Sequence, residues 1–86
     1  MLYLITYDLN APGQRYQELY DTLKSWGAQR VLLSTWVLRR AGALDTTKMV
    51  NMLRVHLIDA NDRLLVTEMT TNWATYNAMV DINTIQ

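Results

Sequence analysis

Leu2-Tyr3-Leu4-Ile5-Thr6-Tyr7-Asp8-Leu9 opens the chain and runs into Asn10-Ala11-Pro12-Gly13. Large aliphatic and aromatic residues fill the first stretch, which predicts a strand. Along a strand, Tyr3, Ile5 and Tyr7 project to one side and Leu2, Leu4 and Thr6 to the other. Both sides are mostly apolar, so both need cover. Pro12 and Gly13 fit turn positions and stop the strand.

Working outward, Gln14 to Trp26 carries Tyr16, Leu19, Tyr20, Leu23 and Trp26 at helical spacing. Gly27 follows as the expected C-terminal stop. Ala28–Leu33 and Thr35–Arg40 read as strand, either as a tight hairpin about Ser34 or as one bent strand. Asp45 is a good N-cap, and Thr46–Leu57 follows as helix with Met49, Leu53 and Leu57 on its apolar stripe. Asp59 to Asp62 reads as a turn, and Arg63–Met69 as the last strand. The tail, 70–86, is irregular: either Asn72 starts a short turn or helix through Val80, or the segment extends along a neighbour.

The order strand, helix, strand, strand, helix, strand predicts an α+β, ferredoxin-like βαββαβ fold. Two helices then lie on one face of an antiparallel sheet. The other face has no expected cover from its own chain, although its positions are apolar. An uncovered apolar face marks an interface, so a two-fold homodimer is expected, with the tail a candidate for packing on the partner subunit.

The chain's 86 residues hold a single domain, 1–86. Half the residues are apolar and 19% are charged, against ~25% in ordinary domains, which excludes a disordered tail. Eight basic residues balance eight acidic ones, giving zero net charge. That argues against a nucleic-acid binder working by bulk charge. There is no cysteine, so disulfides, zinc-thiolate sites and thiol nucleophiles are excluded. No signal peptide and no membrane contact are expected, and a cytoplasmic protein is the default.

Tyr7-Asp8-Leu9 at the end of a first strand resembles the opening of the small ferredoxin-like CRISPR adaptation protein, the non-integrase partner of the spacer-acquisition complex. The likeness continues through the first helix, Arg30-Val31, Ser34-Thr35-Trp36-Val37-Leu38 and Asp62-Arg63-Leu64-Leu65-Val66. It spans about residues 2–69. The chain is also similar to virulence-associated protein D and to stand-alone SinR-like members. The resemblance implies a dimer with a metal-dependent nuclease site, or a dimer that only holds nucleic acid.

On that resemblance Asp8 becomes the catalytic and metal-binding candidate. Mg2+, or Mn2+ in its place, keeps several waters, so one carboxylate per chain suffices if a two-fold axis supplies a second. The structural alternative is that Asp8 bonds backbone amides of the Asn10–Gly13 turn. Asn10 and Gly13 could approach a phosphate or simply form the turn. Ser34 could bond Asp8 or a phosphate, or close a hairpin. Arg15, Arg30, Arg39 and Arg40 could touch a phosphate backbone or be solvated charges. His56, the single histidine, could serve as acid or base, but a place at a helix C-terminus suits it better. Trp26 and Trp36 read as packing residues rather than base-stacking ones, and Trp73 as an interface residue.

Two functions therefore compete: a metal-dependent endonuclease acting on RNA through paired Asp8 side chains, and a non-catalytic dimeric scaffold for RNA, DNA or a protein partner, of the adaptation or toxin–antitoxin type. A third reading, a small-ligand sensor, needs a pocket at the dimer cleft.

Overall fold

The computed structural model describes residues 1–86. Strand β1 (Leu2–Asp8) is followed by a 3-10 turn (Gly13–Tyr16) and helix α1 (Gln17–Ser25). Strands β2 (Gln29–Leu32) and β3 (Thr35–Arg39), helix α2 (Thr46–Arg54) and strand β4 (Arg63–Met69) complete the pattern. The sheet order is β2-β3-β1-β4, with every pairing antiparallel. A four-stranded antiparallel sheet with two helices is compatible with a ferredoxin-like fold.

The alternation in β1 sorts two cores. Tyr3, Ile5 and Tyr7 join Leu19 and Leu23 of α1, Met49 and Leu53 of α2, and Trp36, Leu38 and Val66 of the sheet. The segment between β2 and β3 is a hairpin rather than one bent strand, and the pairing shifts register between Arg30 and Leu32. Asp45 caps α2 as its sequence position predicts, its side chain accepting from the Thr47 and Lys48 amides. Helix α1 ends on Gly27 at φ +86°. There the Gly27 amide bonds the Lys24 carbonyl and the Ala28 amide bonds that of Leu23. This pair of bonds needs a left-handed residue, which glycine adopts without steric cost.

Two expected boundaries move. The α-helix starts at Gln17, not Gln14, because Tyr16 leaves helical geometry (φ −107°, ψ 22°). Its buried hydroxyl is drawn to Asp62 and to the Ala11 amide. Helix α2 stops at Arg54, and the His56 and Leu57 amides close the last turn three residues back.

The larger correction concerns the second face of the sheet, which was expected to lack cover from its own chain. The tail crosses it. Ile82 and Ile85 bury against Leu2, Val31 and Val37, with Met69, Trp73 and Val80 packed alongside. The Met79 amide bonds the Val31 carbonyl at 2.8 Å, and Arg39 Nε bonds the Ile85 carbonyl at 2.6 Å. The apolar residues of the tail are too scattered for helical or strand periodicity, so their destination was not legible. The cover is partial. At the other end of the same face, Leu65 stays 56% exposed, and Asp8, Arg63 and Thr67 are exposed beside it. The molecule carries no helix long and apolar enough to cross a membrane.

Candidate functional site

Asp8 is the last residue of β1 and pairs across the sheet with Arg63, the first residue of β4. Side chains directly opposite on neighbouring strands share a face, with Cβ atoms about 5 Å apart. Asp8 and Arg63 therefore stand together on the face that the tail leaves open. Both are exposed. The one contact between a basic side chain and a carboxylate within 4 Å lies elsewhere, between His56 Nδ1 and Glu18 at 3.6 Å.

The turn that follows is held by a different carboxylate. Asp62 accepts the Asn10 amide at 2.8 Å, the Asp59 amide at 3.0 Å and the Ile58 amide at 3.2 Å. It also accepts the Tyr16 hydroxyl, 2.8 Å from each oxygen. The Asn10 side-chain amide adds a bond to the Asn61 carbonyl at 2.6 Å. Burial works to raise the Asp62 pKa, but the donors, Asn10 and Asp59 foremost, outweigh it and hold the carboxyl below its ordinary value. The Tyr16 hydroxyl moves up instead, through burial and through the adjoining Asp62 charge. Binding the turn amides, the structural role weighed for Asp8, thus belongs to Asp62. Asp8 is left with a side chain that makes no hydrogen bond and points off an ordered strand end.

Two hollows meet at the Asp8–Arg63 pair. One, of about 360 Å³, is lined by Asp8, Asn10, Asn61 and Arg63, with no apolar residue. The other, of about 150 Å³, runs along the sheet over Thr6, Leu64 and Leu65. Asn10 thus lies at the site. Gly13 opens the 3-10 turn with room for a side chain, since an added Cβ meets only the Tyr20 hydroxyl, at 3.6 Å. Ser34 borders β1 through its backbone: its carbonyl accepts the Tyr7 amide and the Thr6 hydroxyl, each at 3.1 Å.

The basic residues are dispersed. Arg30 donates to the Tyr7 hydroxyl at 3.0 Å and lies over the rings of Tyr20 (4.5 Å) and Trp36 (5.0 Å). Burial works to lower its pKa; the neighbouring Tyr7 and Tyr20 oxygens more than reverse this, and the net shift is upward. Arg39 ties down the tail. It pairs with Leu2, at the opposite end of β1 from Asp8, a distance of roughly 20 Å at the usual strand rise. Arg40 is at that same end, bonded through its amide to Met1. Arg15 is exposed on the 3-10 turn. His56 Nε2 lies 3.2 Å from the Thr22 hydroxyl, on the helix side of the sheet. Trp36 donates to the Tyr7 hydroxyl at 2.9 Å, as a packing residue would. Trp73 packs under its own sheet. An apolar hollow of about 290 Å³ lies between Trp26, Leu44 and Met52, away from Asp8.

Arg63 and Asn61 were not singled out in the sequence. The signal that finds them is register: once β1 and β4 are aligned, Asp8 can only face Arg63.

A small α+β domain with a βαββαβ sheet and a free carboxylate at the end of its first strand is the class that fold and site define. The family model described as CRISPR associated protein Cas2 matches residues 1–76. The chain belongs to that family.

Proposed function

We propose that this protein is a metal-dependent endonuclease that cuts RNA, with Asp8 from two subunits holding Mg2+ or Mn2+. The observation that carries the reading is the division of labour between two aspartates: Asp62 takes the structural bonds of the turn, and Asp8 stays exposed and unbonded on a fixed strand end. Membership of the CRISPR associated protein Cas2 family supports it.

No group of three or more His, Cys, Asp or Glu that could hold a metal exists within one chain. Asp8 is the one carboxylate lining the polar hollow, so a second Asp8 across a two-fold axis would give a hydrated hard cation two carboxylates and leave its other positions to water. The half-open face offers Leu65 and Thr67 beside Asp8 for that meeting, and a two-fold axis passing close to Asp8 would bring the two carboxylates together. When bound, such a cation polarises the phosphodiester and lowers the pKa of an attacking water. The protein's part is to fix Asp8 at the strand end and to keep the Asn10 turn in place through Asp62.

Incubation of single-stranded RNA with the wild type and with Asp8→Ala, with Mg2+ or with EDTA, tests this. Cleavage should need both the cation and Asp8, while circular dichroism stays the same for the two proteins. Cleavage by Asp8→Ala at the wild-type rate removes Asp8 from the chemistry.

The lack of a complete ligand set in one chain favours a second reading, a non-catalytic dimeric scaffold for nucleic acid or a protein partner. RNA binding that persists in EDTA with no cleavage in any divalent cation selects it. Zero net charge predicts that such binding would be weak and salt-sensitive.

A further inference from the structure

We infer that Arg63 is the phosphate anchor of the Asp8 site, seating one phosphodiester of a single RNA strand in the polar hollow. The inference rests on the reading of Asp8 above and adds the residue that holds the substrate.

A lone carboxylate repels a phosphate. A cationic side chain beside it offsets that repulsion and would hold a phosphate in the absence of metal. Arg63 stands directly across from Asp8 on the same face, exposed and outside any ion pair. The other arginines considered are elsewhere or engaged; Arg15, exposed on the 3-10 turn, does not line the hollow. Arg30 is stacked on aromatic rings, Arg39 is bonded to the tail, and Arg40 is at the far end of the sheet. The hollow beside Arg63 is lined only by Asp8, Asn10, Asn61 and Arg63. A guanidinium presents a planar fork that matches two phosphate oxygens, which an ammonium does not. The strand pairing sets the Asp8–Arg63 separation, so a phosphate on Arg63 is placed beside the carboxylate without any rearrangement of the backbone.

The test is fluorescence anisotropy of a labelled single-stranded RNA oligonucleotide in EDTA over a range of salt. It compares the wild type, Asp8→Asn, Arg63→Ala and Asp8→Asn/Arg63→Ala. Arg54→Ala, on the exposed face of α2, is the control for loss of one positive charge. Removing the Asp8 charge should tighten binding, because its repulsion goes. Arg63→Ala should weaken binding about tenfold in either background. It should also flatten the salt dependence by about 0.7 per contacted phosphate. Arg63→Lys should restore the salt slope but only part of the affinity. Equal affinity and slope for wild type and Arg63→Ala, in protein that cleaves through Asp8, overturns the role of Arg63 alone. An equal loss in Arg54→Ala overturns it too, since charge anywhere would then suffice. Absence of RNA binding by every form, together with absence of cleavage, overturns both readings.

Discussion

Replacing Asp62 by Ala should be the most costly single change at this end of the molecule, although the residue has no assigned part in the chemistry. The carboxylate collects three backbone amides, from Asn10, Ile58 and Asp59, and the Tyr16 hydroxyl. A hydrogen bond to a charged acceptor contributes about 1.5 kcal/mol when sheltered, and less where water can replace it. Two of the four donors are part-buried and two are exposed, so the loss should be about 3 kcal/mol. Urea denaturation followed by tryptophan fluorescence reads it. With a slope of about 1 kcal/mol per molar for a chain this small, the midpoint should fall by about 3 M. The effect has a pH signature. The native pKa of Asp62 lies below its unfolded value, so its stabilisation is complete above the unfolded value near 4. It drains away as pH falls through the native value. The gap between wild type and Asp62→Ala should therefore be full at pH 7 and shrink below about pH 4. A midpoint within 0.5 M or so of wild type at pH 7, or a gap that grows in acid, would refute the reasoning.

Asp8→Asn should leave stability within about 0.5 kcal/mol of wild type, because an exposed side chain without partners is lost; thermal unfolding checks this on the same sample that fails to cleave RNA. Ile85→Ala should cost about 2 to 4 kcal/mol, since Ile85 is only 2% exposed and caps the second core. The same variant should bind more of a hydrophobic dye, as the sheet face beneath the tail opens. Gly27→Ala should cost about 1 to 2 kcal/mol, because φ is +86° there and a Cβ meets strain rather than a clash.

Much of the fold was written in short-range pattern. Alternation in β1 assigns its residues to the two cores, the Asp45 cap and the Gly27 stop fall where their chemistry requires, and β4 runs over the residues expected of it. Features that depend on long-range partners were hidden. Tyr16 reads as one more stripe residue, and only its distant bond to Asp62 explains why α1 starts late. Asp62 looks like an ordinary turn residue until four donors converge on it. The tail lacks any period, so nothing local says that Ile82 and Ile85 return to Leu2 and Val37. That return weakens the argument for a partner over the whole second face and confines it to the end that carries Asp8. The site was half legible. Asp8 was singled out by its position and its resemblance, whereas Arg63 emerges only from strand register, and the predicted arginines divide between packing, tail attachment and solvent.

A crystal grown with Mn2+ gives the shortest route to a decision, through the anomalous difference density at the end of β1. The account predicts two protomers related by a two-fold axis, with a peak coordinated directly or through water by the Asp8 carboxylates of both. Density with no metal at Asp8, or a dimer in which the two carboxylates face away from each other across the particle, contradicts it.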